Sequence, residues 1–193
     1  EVNRVAFEKV REDKEREAGD GFDGSWVAHP DLVPLCAEVF TEHLGERPNQ
    51  LDRLRPDVAV GADDLLAVGS VDGSVTRAGV VANVEVSLRY LEAWLRGLGA
   101  VGIHNLMEDA ATVEISRSQI WQWIRHQVAL EDGTVVTADL VREVIDQEHA
   151  RLAEEMPGST TLQSAREIFE DIALADEYAD FLTLPAYERI SVT

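Results

Sequence analysis

The apolar residues of this chain recur mostly at helical spacing. From Thr76 onward, Val80, Val84, Leu88, Leu91 and Leu95 follow one another at intervals of three and four, defining one face of a helix that Gly97 and Gly99 stop. Thr137 is placed to cap a further helix whose face is Leu140, Val141, Val144, Leu152 and Met156, with Pro157-Gly158 as its stop. A last helix carries Leu162, Ala165, Phe169, Ile172 and Ala179. The N-terminal stretch 1–20 is charged and helix-prone, anchored by Val2, Val5, Phe7 and Val10 and ended by Gly19-Asp20-Gly21. Ser25-Trp26-Val27-Ala28, halted by His29-Pro30, is short enough for a buried strand. A helix follows from Asp31 to about Leu44, with Leu32, Leu35, Val39 and Phe40 on one side. Residues 45–75 hold Pro48, Pro56 and four glycines, and read as a long connection and a domain boundary. The closing run from Phe181 to Tyr187 is apolar for a terminus, which predicts docking rather than fraying. No internal repeat or low-complexity tract interrupts this order.

The stretch from Asn105 to Trp123 is chemically the most informative. It places adjacent carboxylates, Glu108 and Asp109, after a segment poor in charge. Ser116 with Gln119 fits a capping box, and the apolar run Ile120, Trp121, Trp123, Ile124 predicts a helix from there. A carboxylate on a loop entering a rigid helix suits a general base, because the helix fixes its geometry. The helix dipole favours acids at the same place without any chemistry. The pattern alone leaves both readings open. Trp121 and Trp123 cannot share one helix face, so one belongs to the core and the other to a neighbouring domain or groove.

Composition narrows the function classes. With 37 acidic against 17 basic residues, the formal net charge of −20 argues against general nucleic-acid binding and against anionic membranes. No apolar run approaches the roughly 20 residues that span a bilayer. The single cysteine, Cys36, excludes an intrachain disulfide framework and fits a reducing, cytoplasmic compartment; its apolar neighbours predict a buried thiol. No two of the five histidines stand three or four apart, which removes a helical His metal site. Phosphate-binding loops, dinucleotide fingerprints and nucleophile elbows are likewise missing. The highly charged start does not read as a secretion signal, and without an initial Met the chain reads as a processed or excised piece.

Several long motifs resemble the malate synthases. Besides Asn105–Trp123, these are Gly21-Phe22-Asp23-Gly24-Ser25-Trp26-Val27-Ala28-His29-Pro30-Asp31-Leu32-Val33, Arg47-Pro48-Asn49-Gln50, Leu91-Glu92-Ala93-Trp94-Leu95-Arg96-Gly97 and Phe181-Leu182-Thr183-Leu184-Pro185-Ala186-Tyr187. They occur in the family's order over nearly the whole chain. Val113, where the family usually has alanine, and the looser match over Thr76–Val86 are departures that do not touch Asp109.

The resemblance implies condensation of acetyl-CoA with glyoxylate, followed by thioester hydrolysis to malate and CoA. It implies a TIM barrel closed by a C-terminal helical domain. It makes Asp109 the general base, puts Trp26 and Met107 around glyoxylate and the acetyl group, and brings Mg²⁺ as cofactor. A TIM barrel takes about 250 residues. The implied fold is therefore mainly α: a C-terminal helical domain with a remnant of the last barrel strand and helix. Residues 1–45 would be the barrel end, 46–75 a connection, and 76–193 the helical domain carrying the base. The family's Mg²⁺ ligands and catalytic arginine fall earlier in the barrel, so no metal ligand is expected here, and the remainder of the barrel becomes the necessary partner. An acidic chain suits anionic CoA only if that remainder, or a local cluster such as Arg47, Arg53 and Arg55, supplies positive charge. The alternative is a non-catalytic helical binding module that keeps the signature, and a weaker rival is another CoA-dependent carbon–carbon bond enzyme on a related barrel.

Overall fold

Thr76 and Thr137 both act as helix caps. Thr76 Oγ1 accepts the Gly79 N–H at 2.9 Å and Thr137 Oγ1 the Leu140 N–H at 3.2 Å, satisfying amides that a helix start leaves unpaired. The structure is a computed structural model describing residues 1–190, in which the chain divides into two units, Glu1–Val71 and the part from Asp72 onward.

The first unit holds α1 (Val2–Asp20), a 3₁₀ turn at Pro30–Leu32, α2 (Val33–Leu44), the short α3 (Ala62–Leu66) and a second 3₁₀ turn at Val68–Ser70. Gly21 ends α1 in the left-handed region at φ 107°, returning its N–H to Ala18. Helices α1 and α2 pack together around Ala18, Val39 and Phe40, with Cys36 also buried. Gln50, from the Arg-Pro-Asn-Gln motif, ties the unit together. Its amide nitrogen donates to the carbonyls of Ala18 (2.9 Å) and Phe22 (2.7 Å), and its backbone N–H donates to Asp23.

Ser25–Ala28 departs from the sequence expectation. The segment is irregular and Trp26 is 79% exposed. A strand exists through its ladder, and no strand among the described residues of this unit offers the pairing groups.

The second unit is built on α4 (Arg77–Leu95), which packs against α5 (Ala110–Arg125), α6 (Ala138–Glu155) and α7 (Leu162–Ala173). The apolar face of α4 is buried as its spacing requires: Val80, Val84, Leu88 and Leu91 have no exposed surface. Val113 and Ile120 from α5, Val144 and Leu152 from α6, and Ile168 and Phe169 from α7 join them in one continuous core. Ala179 packs against it from beyond the end of α7, not from a helix face. The closing run forms α8 (Thr183–Ile190). Leu182 and Ala186 are buried, while Phe181, Leu184 and Tyr187 stay exposed. No helix among the described residues is long and apolar enough to cross a membrane.

Two further elements differ from expectation. Helix α5 begins at Ala110, six residues before the Ser116 capping box, and Ser116 lies buried inside it. Asp109 takes the capping position, and Val113, Ser116, Arg117 and Ile120 form the buried helical stripe. The segment before it is a hairpin, β1 (Val101–Ile103) and β2 (Leu106–Glu108). Its two-residue turn, His104-Asn105, has φ of 49° and 64°, the mirror-image geometry that suits the strands' twist.

The two cores predict unequal protection. Fully burying one large aliphatic side chain contributes roughly 1.5–3 kcal/mol, so a three-residue cluster restrains far less than the core around α4. In hydrogen exchange on this chain, amides of residues 1–45 are expected to exchange faster than those of residues 80–180. Equal protection would show the first unit to be as self-sufficient as the second.

Candidate active site

The hairpin pairs Val101 with Glu108, Gly102 with Met107 and Ile103 with Leu106. Asp109 is still extended (φ −130°, ψ −172°), so the strand alternation continues through it. Met107 and Asp109 therefore share one face of the strand line, and Leu106 and Glu108 the other. Both Met107 and Asp109 are exposed, Met107 by 46%.

The adjacent carboxylates have different employment. Thr112 Oγ1, one helical turn into α5, donates to the Glu108 carboxylate, which is half-buried. Asp109 Oδ1 accepts the Ala111 N–H at 2.9 Å. Its other oxygen has no donor among the described residues. One oxygen thus orients the carboxylate on a well-packed helix and the second remains open to a reacting group. The sequence left these acids as dipole-favoured residues or a general base and put the cap at Ser116; the structure makes Asp109 itself the cap.

Tyr90, unnoticed in the sequence, lies below this end of the hairpin. Its hydroxyl donates to the Gly99 carbonyl at 2.9 Å. Burial, with the nearby negative charge of Asp109, holds its phenol above the usual range, so it remains a neutral donor.

The hairpin turn is tied to the helices through a polar contact. His104 Nε2 lies 3.1 Å from Glu85 of α4, which also pairs with Arg89 at 2.9 Å and Arg151 of α6 at 2.7 Å. Burial opposes the charged form of Glu85, but hydrogen bonds from Arg151, Arg89 and His104 outweigh it and hold its pKa down to about 2. Because the folded value lies below the ordinary 4.5, the stabilisation is complete above that pH and is lost as pH falls toward 2. Urea unfolding should show Glu85→Gln costing on the order of 2 kcal/mol at pH 6, partial solvent access at Arg151 reducing the full linkage value, with the gap to wild type closing by pH 2–3. A gap independent of pH would show that the carboxylate's charge is not what matters.

The suggested basic cluster is partly engaged. Arg55 is spent on Asp20 and Asp57, Arg47 donates to the His43 and Leu44 carbonyls at the end of α2, and the Arg53 stem lies beside Gly21. Trp26 belongs to the first unit, whereas Met107 and Asp109 belong to the second. Among the described residues no three His, Cys, Asp or Glu side chains converge as metal ligands. The donor set of the described residues does not fit Mg²⁺.

Residues 74–190, more than half of the chain, match the family model described as "Malate synthase, C-terminal". The chain belongs to the malate synthase family. Residues 1–68 match a second model, "Malate synthase, TIM barrel domain". The malate synthase of Streptomyces clavuligerus is 57% identical over 99% of this chain and 36% of its own length. That of Myxococcus xanthus is 47% identical over 98% of the chain and 35% of its length. Malate synthase A of Escherichia coli is 44% identical over 99% and 36%. The chain thus spans about a third of the length of these relatives. Its mainly helical fold is that of the C-terminal end of a malate synthase, preceded by a piece of the TIM barrel.

Proposed function

We propose that this chain is the part of a malate synthase that supplies the general base for condensing acetyl-CoA with glyoxylate. The observation that carries the reading is the Asp109 carboxylate, anchored through one oxygen at the start of α5 and open at the other. In this reading residues 1–45 end the barrel, 46–75 connect, and 76–193 form the helical domain. Asp109 takes a proton from the acetyl methyl group. The electron pair left on carbon attacks the glyoxylate aldehyde carbon, forming the new C–C bond, and the aldehyde oxygen becomes a hydroxyl by gaining a proton. Water then cleaves the thioester, giving malate and CoA. A weak carbon acid needs both a positioned base and electrostatic help for the developing oxyanion. The first comes from this chain and the second from the remainder of the barrel. Met107, which shares the strand face of Asp109, is the proposed contact for the acetyl group, and Trp26, exposed in the first unit, is the second substrate-binding residue that the family likeness implies. Mg²⁺, which the family likeness implies, would be held by residues outside this chain and would supply charge stabilisation at glyoxylate there.

The test is release of free CoA from acetyl-CoA by the complete enzyme, with glyoxylate and with other 2-oxo acids, before and after changing Asp109. Glyoxylate-dependent release that requires Asp109 supports the reading. Release indifferent to Asp109 favours the helical module that keeps the signature without the chemistry.

A further inference from the structure

Helix α5 carries a second stripe, polar rather than apolar, at positions 114, 117, 118 and 121. Each member holds the irregular segment between α7 and α8. Trp121 Nε1 donates to the Ala175 carbonyl at 2.8 Å, and Ser118 shares a hydrogen bond with the Tyr178 hydroxyl. Arg117 Nη2 donates to the Asp180 carbonyl at 3.3 Å, and Glu114 Oε1 accepts the Leu182 N–H at 2.9 Å. The segment therefore runs antiparallel along α5, from its last turns back toward the end that Asp109 caps.

At the centre is an ion pair, Arg117 Nε to Glu114 Oε2 at 2.5 Å, with the guanidinium 4.3 Å from the Tyr178 ring centroid. Arg117 is 1% exposed, and its Nη1 has no hydrogen-bond partner among the described residues. Stability does not account for such a residue. Replacing a buried ion pair by apolar side chains of similar volume is often neutral or stabilising, and an unpaired buried N–H adds cost.

We infer that Glu114 and Arg117 are positioning residues for the catalytic base: they fix the rotation of α5 against the strap Leu174–Leu182, and with it the direction of the Asp109 carboxylate. This rests on the assignment of Asp109 as base. The lever is geometric. Asp109 is bonded to the first turn of α5, so it moves with the helix. A rotation of ~20° carries a group roughly 5 Å from a helix axis by roughly 2 Å. A misplacement of about 1 Å can cost 10²-fold in rate. The apolar stripe, Val113 and Ile120, packs one side of α5 into the core, and the directional bonds to the strap add a restraint on its rotation from another side.

The experiment is steady-state kinetics on the complete enzyme carrying Glu114→Gln or Arg117→Met, with thermal melting of each. Glu114→Gln keeps an oxygen to accept the Leu182 N–H but turns an amide donor toward Arg117 and leaves that guanidinium without its counter-charge, so the double variant Glu114→Gln/Arg117→Met, which buries no unpaired charge, decides the matter if a single variant does not fold. The expected result is kcat per folded molecule lower by ~10- to 100-fold with KM for both substrates within about twofold, the signature of an interaction felt in the transition state. Wild-type kcat, a loss carried in KM, or a lower melting temperature alone overturns the inference. Asp109→Asn run alongside separates the two claims. If it abolishes turnover while Glu114→Gln does not, positioning fails and the base stands. If Asp109→Asn leaves kcat intact, the base assignment itself fails.

Discussion

Asp109→Asn in the complete enzyme is expected to lower kcat by ~10²- to 10⁴-fold, equivalent to roughly 3–5 kcal/mol of transition-state stabilisation, while KM and melting temperature stay close to wild type. The structure sharpens this expectation, because Asp109 also caps α5. Asparagine is as good a cap as aspartate, so its oxygen can still accept the Ala111 N–H and the helix start survives. Only the proton acceptor is lost. Asp109→Ala removes both functions and should add a stability loss of about 0.5–2 kcal/mol, which makes it the poorer probe of chemistry. Glu108→Gln is the control. Its carboxylate lies on the opposite strand face and is occupied by Thr112, so kcat should change little. If Glu108→Gln abolished turnover and Asp109→Asn did not, the base would be one residue away from its assignment.

The chain by itself is expected to show no malate synthase turnover. Its described residues assemble no divalent-ion site, and two of the three arginines proposed for an anionic cofactor, Arg47 and Arg55, are engaged locally. A base without its electrostatic partner leaves the enolate uncompensated, and that term is usually the largest single one in such catalysis. Free-thiol release measured with acetyl-CoA, glyoxylate and Mg²⁺ should match the blank. Turnover near ~10 s⁻¹, the median for enzymes, would mean that the remainder of the barrel is dispensable.

The helices of the second unit were readable because burial there is periodic. Val80, Val84, Leu88 and Leu91 contact three partner helices and have no freedom to deviate from the 3.6-residue repeat. The start of α5 was misplaced because Ser116 and Gln119 form a good local cap pattern, while the β-branched Thr112, Val113 and Ile115 disfavour a helix locally. Tertiary burial of Val113 overrides both, and Asp109 supplies the cap. The hairpin was hidden by its turn. His104-Asn105 lacks the glycine that usually announces mirror-image geometry, although Val101, Ile103, Leu106 and Glu108 alternate as strand residues do. The strap along α5 had no local signal, since its bonds join residues about sixty apart. Trp26 shows the complementary failure: an apolar run implies burial only where a covering surface exists. The proposed role of Asp109 comes from the likeness to malate synthases, since the local pattern left both a base and a dipole-favoured acid open and put the cap at Ser116.

With Asp109 as the cap of α5 and the proposed base, few residues fit its position. Glutamate keeps a carboxylate but is a poor cap and reaches further; serine caps but is no base at neutral pH; asparagine caps as well and takes no proton. Aspartate alone meets both demands. On the proposed assignment the two demands are lost separately, because asparagine is expected to remove the proton acceptor and keep the cap. A malate synthase carrying asparagine at this position is therefore expected to fold as its parent does and to turn nothing over.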